Sequence, residues 1–205
     1  MEIGLFPLGI VLLPTEQIPL HIFEPRYREL IAECLEEERE FGLILADDDG
    51  LREVGTRALV TEVLERFDDG RLNVVVEGMD RFRVVELTGG RSFQTGEVEQ
   101  VEDVDEAADP EHVERALALF ARLVELTGTE IDPPEPSTPQ LSFAIAARFE
   151  FAPDVKQELL QERSEAVRMR RLCELLEKAA ETIAREREIA ERAAGNGKVQ
   201  PRDDS

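Results

Sequence analysis

Only a few side chains in this 205-residue sequence are of the types that carry enzyme chemistry. Two are histidines, His21 and His112, and two are cysteines, Cys34 and Cys173. His21 lies inside the apolar segment 20–23, where an imidazole with a structural role is far commoner than a general base. Two thiols cannot complete the four-ligand set of a structural zinc site. We therefore expect two reduced, buried cysteines and no catalytic histidine.

Carboxylates are the next candidates, because they bind cations and form acid/base pairs. Asp47, Asp48 and Asp49 are adjacent and precede Gly50, but the segment lacks the alternating ligands and later glutamate of a calcium-binding loop. We interpret it as a solvent-exposed turn. The sequence also lacks the motifs G-x-x-x-x-G-K-[ST], G-x-S-x-G, H-E-x-x-H and C-x-x-C. It therefore predicts no catalytic residue, no metal and no cofactor.

The net charge bears on which partners the protein attracts. Acidic residues number 46 against 24 basic ones, which gives a formal net charge of −22. Such a surface repels phosphate backbones and anionic membranes, because both kinds of binding depend on basic residues. No segment approaches the ~18 apolar residues of a membrane span, and Glu2 stands where a secretion signal carries positive charge. We expect a cytoplasmic protein that binds neither nucleic acid nor membranes.

The elements that would position these side chains begin in the most apolar part of the chain, residues 5–30. Prolines divide it into runs too short for helices, so we predict strands at about 3–6, 10–13 and 18–23. A helix follows, with Pro25 in its first turn. Its apolar face has helical spacing and comprises Tyr27, Leu30, Ile31, Cys34 and Leu35.

Strand-like segments continue as far as Val101. We predict strands at 41–46, 54–67, 72–76, 81–87 and 93–101. Asp68-Asp69-Gly70 is a strong hairpin signal, and Gly78 is expected to separate the two strands on either side of it. Strands at this spacing, with turn residues between them, indicate an antiparallel, barrel-like sheet.

The composition becomes polar and acidic at 102–109, and helical periodicity then begins. Asp109 and Pro110 are typical of a helix start, and Gly128 of a helix end. We expect further helices from Thr138-Pro139 through Phe149, ended by Pro153, after a cap formed by Asp154 and Gln157, and after Ser164. The last helix carries an apolar seam of Met169, Leu172, Leu176, Ala179 and Ile183, beyond which it is expected to project into solvent. No strand is expected between 140 and 190.

Several short segments, taken in order and spacing, resemble the N-terminal, substrate-binding domain of the ATP-dependent protease Lon over about residues 3–180. They are Leu5-Phe6-Pro7-Leu8, Leu13-Pro14, the run PLHIFEPRY from Pro19 to Tyr27, Val54-Gly55-Thr56, Val76-Glu77-Gly78, Arg81-Phe82, Lys156-Gln157-Glu158-Leu159-Leu160, Arg171-Leu172 and Leu175-Leu176.

The resemblance implies an α+β fold, with an N-terminal PUA-like antiparallel β pseudo-barrel followed by a C-terminal α-helical bundle with a long last helix. We expect the β domain to span 1–105, the bundle 106–193 and a disordered tail 194–205. Full-length Lon continues into an ATPase module and a Ser-Lys protease, and this sequence has neither the nucleotide motif nor the length for them. We therefore expect no ATPase or peptidase activity.

The implied function is a stand-alone module that binds unfolded or partner proteins, for substrate recognition or as an adaptor. Candidate surface residues are the apolar Phe23, Met79, Phe82 and Phe93 of the β domain. Of these, we expect Phe23 to belong to the core and Phe93, beside Gly89-Gly90, to be exposed.

Two other function classes stay open at this stage. PUA-like barrels also occur in RNA-binding proteins, but a small-ligand or RNA-binding function here would need a local basic cluster of Arg81, Arg83 and Arg91. An unrecognised enzyme is the third class. A deep pocket with convergent polar groups would favour either of these, and a shallow apolar groove would favour protein binding.

Overall fold

The computed structural model describes the backbone of residues 1–196 and the side chains of residues 1–192. Within them, the strands are β1 (Glu2–Leu8), β2 (Gln17–Ile22), β3 (Phe41–Asp47), β4 (Gly50–Leu51), β5 (Val54–Arg66), β6 (Leu72–Thr88) and β7 (Thr95–Gln100). The helices are α1 (Pro25–Glu37), α2 (Pro110–Thr127), α3 (Leu141–Ala146), α4 (Pro153–Gln161) and α5 (Glu165–Asn196).

The sheet closes on itself. Its strand order is β1-β7-β6-β5-β3, and β3 pairs with β1 again, so that these five strands form a ring. The β1–β3 pairing is parallel, and the other pairings of the ring are antiparallel. β2 lies outside the ring and pairs with the first half of β6, while β4 forms a short hairpin with β3. The expected α+β fold with a β pseudo-barrel is confirmed.

The interior of the barrel is filled by Phe82 together with Leu5, Ile44 and Val98. Two glycines on neighbouring strands make room for this ring, because a Cβ atom at position 42 or 55 would lie 2.7 Å from Phe82 Cζ. The expectation that Phe82 lies on a binding surface is therefore wrong, since the ring fills the barrel.

β6 is one continuous strand of 17 residues, so the predicted interruption at Gly78 is wrong. Gly78 instead allows a close approach of the preceding chain, since a Cβ atom there would lie 2.1 Å from the carbonyl oxygen of Leu13. The amide of Gly78 donates to Glu16 O at 2.9 Å, and the amide of Thr15 donates to Gly78 O at 2.7 Å. The segment 10–13, predicted as a strand, is irregular, and residues 11–13 are buried whereas Ile10 is exposed.

The predicted starts of three helices and the predicted end of one of them agree with the structure. α1 begins at Pro25 and buries the expected apolar face. At the start of α2, Asp109 Oδ1 accepts a hydrogen bond from the amide of Glu111 at 2.9 Å, and Gly128 ends the helix with φ 68°. At the start of α5, Ser164 Oγ accepts from the amide of Val167 at 3.1 Å. These signals are local, which is why the sequence reveals them.

The segment between α2 and α5 differs from its prediction. α3 has six residues and ends at Ala146, short of the predicted Phe149. Pro153 stands in the first turn of α4 instead of ending a helix, and Ala152 occupies the N-cap position. The predicted cap by Asp154 is therefore wrong, because Asp154 lies within the first turn.

The helical half shares a core with the barrel. The apolar cluster around α2 and α5 includes Val11, Leu45 and Val54 from the β part of the chain. Gln157 Nε2 in α4 also donates to Val54 O at 3.0 Å. The division into domains at 1–105 and 106–193 stays a prediction. α5 is helical as far as Asn196, and residues 197–205 of the predicted tail lie outside the described residues.

Among the described helices, none is both long and apolar enough to cross a membrane.

Candidate functional site

The structure does not bring the four predicted surface residues together. Phe82 and Phe93 are 1% and 4% exposed, whereas Phe23 and Met79 are 58% and 36% exposed. Phe23 directly follows Ile22, which pairs with Leu72 at the start of β6. Met79 lies further along β6 by roughly seven residues, or about 23 Å of strand. Phe23 and Met79 therefore belong to different surfaces of the barrel.

Phe93 and Phe23 were both assigned to the wrong environment. Phe93 belongs to the core cluster of α1 and the barrel, which includes Leu30. The guanidinium of Arg91 lies 4.6 Å from the centre of the Phe93 ring, and it pairs with Glu33 of α1. The alternation of side chains along a strand could have located Phe23, because Ile22 points into the core and the next residue must then point away.

Phe23 belongs to a small group of aromatic side chains, His21, Phe23 and Phe67, which we call the aromatic patch. The ring of His21 is stacked with that of Phe23, with centres 6.0 Å apart and planes 20° apart. It also lies edge-on to Phe67, again with centres 6.0 Å apart. Exposed aromatic side chains are typical anchors for another protein, because they bury a large area with few rotatable bonds.

A hydrogen-bond chain across three strands holds the imidazole of the patch. Asn73 Nδ2 donates to Glu65 Oε2 at 3.0 Å, which leaves Asn73 Oδ1 as the acceptor for His21 Nδ1 at 2.6 Å. His21 lies on β2, Asn73 on β6 and Glu65 on β5. The patch is therefore supported by hydrogen bonds between neighbouring strands at one end of the sheet.

Next to the patch lies a cleft of about 460 Å³ between α1 and the β5–β6 hairpin, which we call the hairpin cleft. Phe67 borders both the patch and the cleft. The other lining residues include Arg28, Ala32, Arg66, Gly70 and Leu72.

A second cleft, of about 710 Å³, lies between α1 and the other side of the barrel. Apolar residues such as Leu30 and Phe93 line it, and its arginines Arg39 and Arg91 pair with Glu37 and Glu33. Cys34 also borders this cleft, but burial, followed by the charge of Glu33, raises the pKa of its thiol to about 11. The thiol is therefore protonated at neutral pH and is a poor nucleophile.

An apolar groove of about 420 Å³ crosses the helical half between α2, α5 and the connection before α4. Its lining includes Leu123, Phe149, Phe151, Leu175 and Ile183.

The basic cluster that an RNA-binding function would need does not exist as an exposed surface. Arg81 is 2% exposed. Its Nη1 donates to Leu160 O at 2.8 Å and to Glu162 O at 2.7 Å, and it also pairs with Asp103. Since Arg91 pairs with Glu33, Arg83 alone of the three predicted arginines is both exposed and without a paired carboxylate among the described side chains.

Among the described residues, no group of three or more His, Cys, Asp or Glu side chains is placed to hold a metal ion.

The barrel is closed and mostly antiparallel, and it packs on a helical half with a long last helix. This arrangement defines an α+β protein of the PUA-like pseudo-barrel class. Residues 2–178 match the family described as the ATP-dependent protease La (LON) substrate-binding domain. This chain belongs to that family.

Two solved structures support the assignment. The Lon N-terminal domain protein from Xanthomonas campestris is 28% identical, with a TM-score of 0.67, over 84% of this chain and 96% of that one. The N-terminal domain of Mycobacterium avium complex Lon protease is 19% identical, with a TM-score of 0.64, over 86% of this chain and 98% of that one. The second likeness shows the fold alone.

Full-length relatives are Lon proteases. The protease of Paraburkholderia phytofirmans is 24% identical over 90% of this chain, and that of Anaeromyxobacter dehalogenans is 28% identical over 84%. This chain spans 25% and 22% of the lengths of those two proteases.

Proposed function

We propose that this chain binds unfolded or partner proteins, for substrate recognition or as an adaptor, and has no ATPase or peptidase activity of its own. Membership of a substrate-binding family supports the general role. The aromatic patch is the surface that we propose binds the partner, because Phe23 is exposed there and its ring is stacked with that of His21. A phenylalanine that is mostly in water costs free energy unless a partner covers it.

The aromatic patch gives only modest affinity for any one partner. Apolar burial contributes ~25 cal/mol per Å², and ordering a flexible polypeptide offsets much of the gain from a patch of a few hundred Å². Weak binding through apolar contacts suits a module that handles many non-native sequences, because it demands no particular order of hydrogen bonds. A cytoplasmic location stays part of this proposal.

The clefts give less support to a small-ligand function. In the cleft of about 710 Å³, the three arginines Arg39, Arg57 and Arg91 are all neutralised by carboxylates of the same chain. They therefore do not converge as free polar groups on a bound molecule, which is the feature that favours a ligand site.

The proposal is tested by binding of a reduced, denatured model protein to the purified chain across a salt series. The expected result is weak binding whose main part persists at high salt, because apolar burial is not screened by ions. ATP hydrolysis and casein cleavage are measured on the same preparation, with a heat-inactivated control. Binding that disappears at moderate salt, or turnover above the control, would contradict the proposal.

A further inference from the structure

Two arginines line the hairpin cleft, Arg28 from α1 and Arg66 from the end of β5. Among the described side chains, no carboxylate lies within the 4.0 Å of an ion pair from either group. In a chain with a net charge of −22, two arginines that border one cleft without a paired acid are a local exception.

Three of the acidic residues nearby, Glu24, Asp69 and Glu29, are engaged by other groups. Asp68 in the same turn is exposed. Glu24 pairs with Arg26 at 2.8 Å. Both carboxylate oxygens of Asp69 accept from Arg71, at 3.1 Å from its amide and at 2.7 Å from its Nε. Glu29 also borders the cleft, but its Oε2 accepts from the hydroxyl of Ser92 at 2.6 Å, which turns it toward another loop.

The position of Arg28 is fixed by the turn of the hairpin. A Cβ atom at Gly70, where φ is 83°, would lie 2.6 Å from Arg28 Nη2, so the guanidinium lies against the turn. The pKa of Asp69 is lowered, chiefly by the hydrogen bond from the amide of Arg71, then by the side chain of Arg71, and least by the charge of Arg28.

The rest of the cleft is apolar and continuous with the aromatic patch. Ala32 and the buried Leu72 form part of its wall, and Phe67 belongs to both the cleft and the patch. A volume of about 460 Å³ accommodates a few side chains of a bound polypeptide. A chain that covers Phe23 and Phe67 would therefore bring an adjacent side chain next to the cleft that Arg28 and Arg66 line.

We propose that the hairpin cleft binds a carboxylate side chain of a polypeptide, held by Arg28 and Arg66, while an adjacent apolar residue of that polypeptide packs on the aromatic patch. This inference rests on the proposed function and specifies its substrate class, segments in which Asp or Glu neighbours an aromatic or aliphatic residue. Guanidinium–carboxylate hydrogen bonds are charge-assisted and geometrically specific. The repulsion from distant acidic residues is screened over ~8–10 Å at physiological salt. The electrostatic potential in the cleft is therefore determined mainly by the charges next to it, including the two arginines.

The test is fluorescence anisotropy with two labelled peptides that differ at one position, Phe-Glu-Leu against Phe-Gln-Leu in the same neutral, extended background. Wild type is expected to bind the Glu peptide roughly fivefold more tightly at low salt, which is the upper end of what a solvent-exposed ion pair contributes. Arg28→Gln and Arg66→Gln should each lower this ratio, and the double variant should bring it to about one. Arg83→Gln, an exposed arginine near the opposite end of β6, is the matched control and should keep the full ratio.

The outcomes separate this inference from the proposed function. Equal binding of the two peptides by wild type, or a ratio that the double variant leaves unchanged, would overturn the role of the cleft while leaving protein binding intact. Absence of binding to both peptides would overturn both. Inorganic phosphate is added as a competitor, and complete displacement of the Glu peptide at low concentration would identify a free-anion site instead of a polypeptide site. Circular dichroism confirms that each variant is folded.

Discussion

Replacement of Asp103 by asparagine is expected to destabilise the protein strongly, because this carboxylate joins the two halves of the chain. Asp103 Oδ1 accepts from Arg168 Nη1 at 2.7 Å, and its Oδ2 accepts from Arg168 Nη2 at 2.5 Å. Arg81 is its second cationic partner, and Gln140 Nε2 donates to it at 3.2 Å. The two arginine side chains are almost completely buried.

The size of the destabilisation depends on the partners that Arg81 and Arg168 keep when Asp103 is replaced by asparagine. Removing one partner of a buried ion pair costs about 3–5 kcal/mol, because the other charge stays buried. Arg168 keeps Glu165 as a partner at 2.6 Å, and Arg81 keeps two backbone carbonyls. Asp103 itself is partly exposed, which reduces its contribution through solvent screening. We therefore expect a loss of about 3 kcal/mol in the free energy of unfolding, at the lower end of that range.

The assay is urea denaturation followed by circular dichroism near pH 7, with Asp105→Asn as the matched control. Asp105 is exposed in the same connection, so the control removes the same charge without a buried partner. If the two variants unfold at the same urea concentration, the ion pairs of Asp103 do not stabilise the junction and the reasoning fails.

The effect should also depend on pH in a defined direction. Burial opposes ionisation of Asp103, but the hydrogen bonds and charge of Arg168, with the charge of Arg81, outweigh it and lower the pKa below its ordinary 3.8. A carboxyl group whose pKa is lowered by folding stabilises the folded state fully at pH values above its ordinary pKa. This stabilisation is lost as the pH falls through the folded-state pKa. The difference between wild type and Asp103→Asn should therefore shrink in acid. A constant difference across that range would contradict the assignment.

Two further predictions concern the packing. Gly78→Ala should lower the free energy of unfolding by roughly 1–3 kcal/mol or more, because the new methyl group would lie 2.1 Å from Leu13 O. The measurement is thermal denaturation, and the control is Gly89→Ala, whose new methyl group would have no atom within 4 Å. Cys34 should react with a thiol reagent at neutral pH only as fast as the protein unfolds, because it is buried and its pKa is raised to about 11; rapid labelling of the folded chain would contradict its placement.

Features set by local chemistry were predictable from the sequence. The apolar face of α1 and the ends of α2 at Asp109 and Gly128 depend on residues within a few positions of one another. The features that were missed depend on residues far apart in the chain. Asp103 was interpreted as part of a polar linker, and its partner Arg168 lies 65 positions away. Arg81 likewise meets a carbonyl 79 positions away, which no sequence window contains.

The errors on the surface have the same origin. Phe93 was expected in solvent because turn residues precede it, yet Leu30 and Arg91 enclose it in the folded chain. Phe82 fills a barrel that exists only once β1 and β3 have closed the ring. Phe23 is the exception, because its exposure could have been predicted from the alternation of side chains after the buried Ile22.

The measurement that tests the account most directly is binding of a denatured model protein at high salt by Phe23→Ser and by Ile189→Ser. The two positions are matched in exposure, at 58% and 60%, but Phe23 lies on the aromatic patch and Ile189 on the distal part of α5. The account predicts that Phe23→Ser weakens binding by roughly tenfold, as loss of a large aromatic contact should, and that Ile189→Ser binds like wild type. Unchanged binding by Phe23→Ser, with a loss confined to Ile189→Ser, would contradict the account and move the binding surface to α5.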